Sequence, residues 1–253
     1  MADWAALAAE LDAWDGIPGG ATFWWRDDDL RAPGPRIRRL LALSAGFAAP
    51  VLLAAVPAAL DAAVADMLAD FPLARVAQHG FAHVDHALPG PGRVRKIELG
   101  GDRPMAALRT DLAAGWARLS GVLADRLLPV MVPPWNRIDP AVTAVLPQWG
   151  YRGLSGFGPR TATAGLVSVN THIDPIAWRG DRGFAGEAAV LGQALAHLAA
   201  RREGTVDPAE PTGLLTHHAD HDPATWAFLA GFLEAVAGHP HARLLAPQAL
   251  FPA

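Results

Sequence analysis

The 253-residue chain has no cysteine. That excludes disulfides, thiolate metal ligands and cysteine nucleophiles together, and leaves histidine and carboxylate side chains to hold any metal. No run of basic residues marks a nucleic-acid-binding face, and the formal net charge is -4. Met1 leads into Asp3, Glu10 and Asp12 on an amphipathic pattern, without the basic and then apolar regions of a secretory signal. The apolar stretch from Pro50 to Leu60 holds two prolines and is too short to cross a bilayer. A cytoplasmic protein with neither membrane nor nucleic-acid partners is the expectation. Also missing are a glycine-rich phosphate loop, internal repeats, low-complexity tracts and an interdomain linker. With 51% hydrophobic and 18% charged residues, the chain suits one large-cored domain spanning 1–253. Its oligomeric state is left open.

What is present alternates. Short apolar, β-prone runs near 21–26, 50–56, 73–78, 128–132, 150–154, 166–170, 212–217 and 242–246 read as strands. Alanine- and leucine-rich segments with charges at helical spacing lie between them, near 2–14, 35–47, 58–70, 103–125, 140–149, 185–203 and 223–237. Asp61, Asp139 and Asp222 stand close to helix starts. Seven or eight βα units predict an α/β protein built as a (β/α) barrel, with chemistry at the C-terminal ends of the strands. An open doubly wound sheet competes, and the missing phosphate loop lowers it.

Polar motifs fall where that barrel would have its mouth. Phe23-Trp24-Trp25-Arg26-Asp27-Asp28-Asp29 delivers three consecutive carboxylates to the end of an apolar strand. Adjacent like charges repel unless a cation compensates them, so the run points to a metal. His79-Gly80-Phe81-Ala82-His83 offers two imidazoles four apart, a spacing that faces both one way on a helical turn. Leu215-Thr216-His217-His218 ends another strand, and Trp135 and Asp174 follow two more. The stretch from Leu88 to Pro104 is rich in glycine and proline and carries Arg93, Arg95, Lys96, Glu98, Asp102 and Arg103, which reads as either a functional or a merely mobile loop.

In this order the motifs resemble those of the polysaccharide deacetylases, the NodB-homology carbohydrate esterases. The resemblance runs from about Thr22 to His218 and implies a distorted (β/α)7–8 barrel, TIM-like, holding one divalent metal. The family's first motif pairs a base aspartate with a ligand aspartate. The triplet permits either Asp27-Asp28 or Asp28-Asp29; an arginine two residues earlier, as in divergent relatives, favours Asp28 as base and Asp29 as ligand. By resemblance His79 and His83 complete the metal site, with Gly80 where Ser or Thr is usual, and His217 is the general acid. Val132-Pro133-Pro134-Trp135-Asn136 fills the third motif, in which the N–H beside Trp135 helps bind the oxyanion. Here the chain departs from the pattern, because valine stands where the family has the arginine that orients the base; Arg26 or Arg137 must substitute. Asn170-Thr171-His172-Ile173-Asp174 with Trp178 matches the fourth motif loosely: Asp174 is a candidate to orient a histidine or arginine, and Trp178 to wall the acid.

Around these, His86 and Asp85 are candidates to support the metal ligands. Asp220 or Asp222 is a candidate to fix the His217 tautomer, while His197, His239 and His241 read as solvent-facing. The implied activity is metal-dependent removal of an N-acyl group, acetyl first, from an amino sugar or glycan. Zinc is favoured by the ligand types, with cobalt, nickel or iron able to use the same set. Two alternatives stay open: hydrolysis of another non-peptide amide such as a cyclic amide or ureide, and a carbohydrate-binding protein with a remnant site.

Overall fold

A computed structural model describes residues 2–87 and 96–251. Arg93 and Arg95 lie outside the described residues. Eight parallel strands form one curled sheet: β1 (Ala21–Leu30), β2 (Val51–Ala55), β3 (Ala74–His79), β4 (Leu127–Val132), β5 (Gly153–Leu154), β6 (Val167–Ser168), β7 (Thr212–Thr216) and β8 (Ala242–Leu244). Their spatial order is β6-β5-β4-β3-β2-β1-β7, and β8 pairs with the first residues of β1. The helices are α1 (Trp4–Asp12), α2 (Pro35–Gly46), α3 (Val64–Ala69), α4 (Met105–Leu123), α5 (Pro140–Val145), α6 (Glu187–Arg202), α7 (Pro223–Ala237) and the short α8 (Pro247–Leu250), which the periodicity does not announce. Asp3, Asp139 and Asp222 each accept an N–H of the following first turn. Asp61 instead caps a turn ahead of α3.

The strand period of two sorts residues between two layers. Phe23 and Trp25 of β1 and Val51, Leu53 and Ala55 of β2 pack outward with helix residues such as Leu40, Leu229 and Phe232. Trp24, Leu52, Ala54, Ala77, Val130 and Val132 fill the interior, where Phe251 meets the Trp24 ring edge-on. A strand buried on both faces needs an apolar residue at every step, as parallel sheets covered by helices require. The polar ends of β1 and β3 break that rule, and they lie at the mouth.

The barrel is distorted because β5 and β6 have only two residues each. Beyond them the sheet is bridged by irregular chain: Thr171 pairs with Phe157, and Ile173 pairs with Leu214 of β7. Gly213 is needed at that crossing, since a Cβ there would stand 2.5 Å from both the Asn170 carbonyl oxygen and Trp24 Nε1. Trp24 Nε1 itself donates to that carbonyl. Gly213→Ala is therefore expected to overpack the crossing and cost about 1–3 kcal/mol, read from guanidinium denaturation midpoints at constant m-value. Stability equal to wild type would mean that 170–173 yields freely.

Candidate metal and acid–base site

Strand parity divides the three carboxylates. Arg26 and Asp28 share the inward face with Trp24, whereas Asp27 shares the outward face with Trp25. Arg26, fully buried, holds Asp28 from two nitrogens, Nε to Oδ1 at 2.8 Å and Nη2 to Oδ2 at 3.1 Å. The same guanidinium donates to the Ser155 carbonyl and hydroxyl, to the Gly156 carbonyl and to Asn136 Oδ1. Arg26 thus occupies the position open between it and Arg137. Arg137 donates to the Lys96 carbonyl.

Asp27 accepts from Thr216 Oγ1, the His218 N–H and His218 Nδ1. Burial pushes its carboxyl up, but His218, with His221 and Thr216, outweighs burial and leaves it below the ordinary 3.8. Burial likewise pushes His218 down, and Asp27 outweighs that to leave it above 6.5. This pair fastens the end of β7 to β1, and with it the adjacent His217.

Asp29 leaves the strand. Its φ of 72° and the register shift after Asp27 turn it out of the sheet. It stands with His79 and His83, and the ligand-capable atoms of the three lie within 4.8 Å of one another. His83 Nε2 is 3.6 Å from Asp29 Oδ1, close to the ~3.4 Å separating two ligands about 2.1 Å from a tetrahedral ion. His79 Nδ1 donates to the Val132 carbonyl, which fixes the tautomer and frees Nε2 for a cation. Valine at the third motif therefore supplies a backbone acceptor even without the family's side chain. Burial lowers the His83 pKa, with Asp29 opposing and His79 assisting, so its imidazole is neutral and ligand-ready at neutral pH. Burial raises Asp29, but His79, His83, His217 and Arg31 together outweigh it and keep it ionised. Among the described residues this donor set fits a divalent cation.

The two histidines are not on a helical turn. His79 ends β3, and His83 has φ of 59° in a non-helical bend. Buried Glu98 holds that bend by accepting the N–H groups of Phe81, Ala82 and His83. Gly80, at φ of 56°, has to be glycine: a Cβ would fall 2.1 Å from Glu98 Oε2 and 2.7 Å from Pro134. In the sequence Glu98 reads only as one charge of the 88–104 loop, because a carboxylate serving backbone N–H groups leaves no side-chain pattern. Asp85 takes the Ala87 and Ile97 N–H groups, and His86 N–H donates to the Ile97 carbonyl, so both organise the same loop.

His217 Nε2 lies 3.9 Å from Asp28 Oδ2. Trp178 packs edge-on against its ring at 4.7 Å and donates from Nε1 to Asp174. Burial raises Asp174 against the pull of His217. Neither Asp220 nor Asp222 holds the His217 ring: Asp220 pairs with Arg182, and Asp222 caps α7. Trp135, at φ of 53°, packs against His83 at 4.4 Å. Of the six non-glycine residues with positive φ among the described residues, Asp29, His83, Trp135, Asn136 and Arg182 lie at this mouth, the kind of place where backbone strain clusters.

His197 also departs from expectation. It stacks on His172 at 3.4 Å, bonds Thr212 Oγ1, and is pushed by burial to a pKa of about 3. His239 and His241 are half-buried against Asp12 and Asp15. His172, His197 and Glu210 gather ligand-type atoms, but near-parallel rings at 16° send their in-plane lone pairs along parallel planes. His172 Nδ1 also accepts the Gly213 N–H, which puts its proton on Nε2. That cluster does not fit a metal.

No family model matches the chain, and no curated protein matches it. Solved structures do. A polysaccharide deacetylase-like protein of Mycobacterium smegmatis superimposes with a TM-score of 0.60 at 15% identity, over 91% of this chain and 88% of the other. A family 4 carbohydrate esterase of Streptomyces lividans, in complex with acetate, gives 0.58 at 15% identity over 93% and 97%. The fold is that of the family 4 carbohydrate esterases. A family 4 pseudoenzyme of Bacillus anthracis shares the family 4 fold as well, with a TM-score of 0.59 at 11% identity over 92% of this chain and 66% of that one.

Two outcomes check the geometry. Glu98→Gln is expected to loosen the 81–83 bend and lower metal content, measured by elemental analysis after dialysis, while the melting temperature of metal-free protein changes little; full metal retention would remove Glu98 from the site. The Asp27–His218 pair is expected to show in the pH dependence of stability. Asp27 contributes above 3.8 and loses its contribution as pH falls through its lowered value; His218 contributes fully below 6.5 and loses its share as pH rises through its raised value. The melting-temperature gap between wild type and Asp27→Asn should therefore be widest between those pH values and shrink on both sides. A gap flat with pH would contradict the ion pair.

Proposed function

We propose that the chain is a metal-dependent hydrolase that removes an N-acyl group, acetyl first, from an amino sugar or glycan. One observation carries this reading: a carboxylate held by a buried arginine shares one cavity with a three-residue metal-type donor set and has a histidine 3.9 Å away. Asp29, His79 and His83 are assigned as ligands, with zinc favoured by the two imidazoles and one carboxylate, and cobalt, nickel or iron compatible with them. Bound there, a divalent cation supplies Lewis acidity toward the acyl carbonyl and the attacking water.

The side chains supply the proton traffic. Asp28 takes the proton of the attacking water, and Arg26 keeps its carboxylate aimed. His217 protonates the departing nitrogen; Trp178 keeps its ring in place and screens one side from solvent. The Trp135 N–H is assigned to the developing oxyanion. The acetate bound by the Streptomyces lividans esterase suits an acetyl substrate here. A cyclic amide or ureide would use the same groups, and assays on both amide classes separate the two.

A remnant binding site is the second reading, favoured by the likeness to a pseudoenzyme and by valine in the third motif. Against it stands Arg26, which does for Asp28 what the missing arginine would do. Two variants decide. His83→Ala is expected to lose metal and rate together, whereas His217→Ala should keep its metal and slow the chemical step by about two to four orders of magnitude. Full N-acetylhexosamine hydrolysis by chelator-treated, demonstrably metal-free protein would overturn the mechanism. Absence of hydrolysis in metal-loaded wild type, with carbohydrate binding retained, would establish the remnant.

A further inference from the structure

Above the site, the mouth opens into a cavity of about 840 Å³ whose lining includes Lys96, Arg137, Arg179 and Arg182. The chain as a whole has a net charge of -4, so this local surplus runs against its overall sign. The acids of the same cavity lie at its floor and are already engaged: Asp28 by Arg26, Asp29 among the histidines, Asp174 by the Trp178 and Ile176 N–H groups.

Two of the cations are placed by aromatic faces. Lys96 Nζ lies over the Trp135 ring at 5.6 Å, and Trp135 in turn abuts His83. Elsewhere in the same cavity lining the Arg182 guanidinium lies over Trp178 at 5.0 Å, and Trp178 abuts His217. Each of the two runs thus carries a histidine, then an indole, then a cation. A guanidinium stacked on an indole keeps its edge N–H groups free to grip a carboxylate or phosphate. Arg182 spends part of that edge on Asp220, while Arg179 is exposed and makes no ion pair among the described residues.

We infer that the substrate carries an anionic substituent, a phosphate or a carboxylate, held by Arg179 and Arg182 with Lys96 in the lining of the same cavity. This rests on the amide-hydrolase reading and narrows it from amino sugars in general to acidic ones. A neutral polymer would leave Arg179, which makes no ion pair among the described residues, without a charged partner.

The test compares three small probes with metal-loaded protein: N-acetylglucosamine, its 1-phosphate, and N-acetylmuramic acid, whose lactyl group brings a carboxylate. At least one anionic probe is expected to exceed the neutral one in kcat/KM by about tenfold or more, the worth of one charge-assisted contact. That preference should fall as salt screens the rim. A higher value for the phosphate or for the lactyl probe identifies which anion the rim takes. In Arg179→Gln, and more so in Arg179→Gln/Arg182→Gln, the ratio of anionic to neutral kcat/KM should drop toward one. Equal rates on all three probes in wild type would overturn the inference and leave the hydrolase reading intact. If no probe is hydrolysed, calorimetric binding of the same three decides: anionic preference abolished in the double variant sustains the rim, and equal affinities sink it.

Discussion

A full positive charge with no exposure to solvent lies at the centre of this molecule, and the site is arranged around satisfying it. An unpartnered guanidinium in that position would be prohibitive to bury. Arg26 therefore draws in Asp28 from its own strand, Ser155 and Gly156 from the end of β5, and Asn136 from the turn after β4. Those are the segments that line the mouth. Their meeting point is set by one side chain's need for acceptors, and Asp28 is held in a fixed orientation in consequence.

The same logic resolves the crowding at the end of β1. Three adjacent carboxylates would repel one another if they shared a surface. Strand parity sends Asp27 out to His218, Asp28 in to Arg26, and the break in the strand turns Asp29 to the paired histidines. Each negative charge meets its own compensation, so three neighbours in sequence do three different jobs: fastening β7, standing beside His217, and joining a metal-type donor set.

Much of this was legible in the chain. All eight strands lie where apolar runs place them, and the alternation Trp24, Arg26, Asp28 carries the parity that tells the aspartates apart. Less legible were contacts made through the backbone. Glu98 binds N–H groups, which have no sequence signature, and the helical turn expected for His79 and His83 gives way to a left-handed bend that Gly80 permits and Glu98 holds. His197 sits on the inward side of α6 against His172 rather than in solvent, a placement decided by a stacking partner from a distant irregular segment. Asp220 and Asp222 were drawn elsewhere by Arg182 and by the start of α7, competitors invisible to proximity in sequence.

The strand order has a further consequence for how the site is assembled in time. β1, β2 and β3 are neighbours both in the sheet and along the chain, so the aspartate and the two histidines of the donor set come together through short-range pairings. β7 joins β1 across most of the polypeptide, Trp25 reaching Thr216 over 191 positions. Closing so large a loop is slow compared with local pairing. On a route that builds near neighbours first, the histidine beside Asp28 arrives last, and a nascent chain would carry a metal-type pocket well before His217 stood next to it.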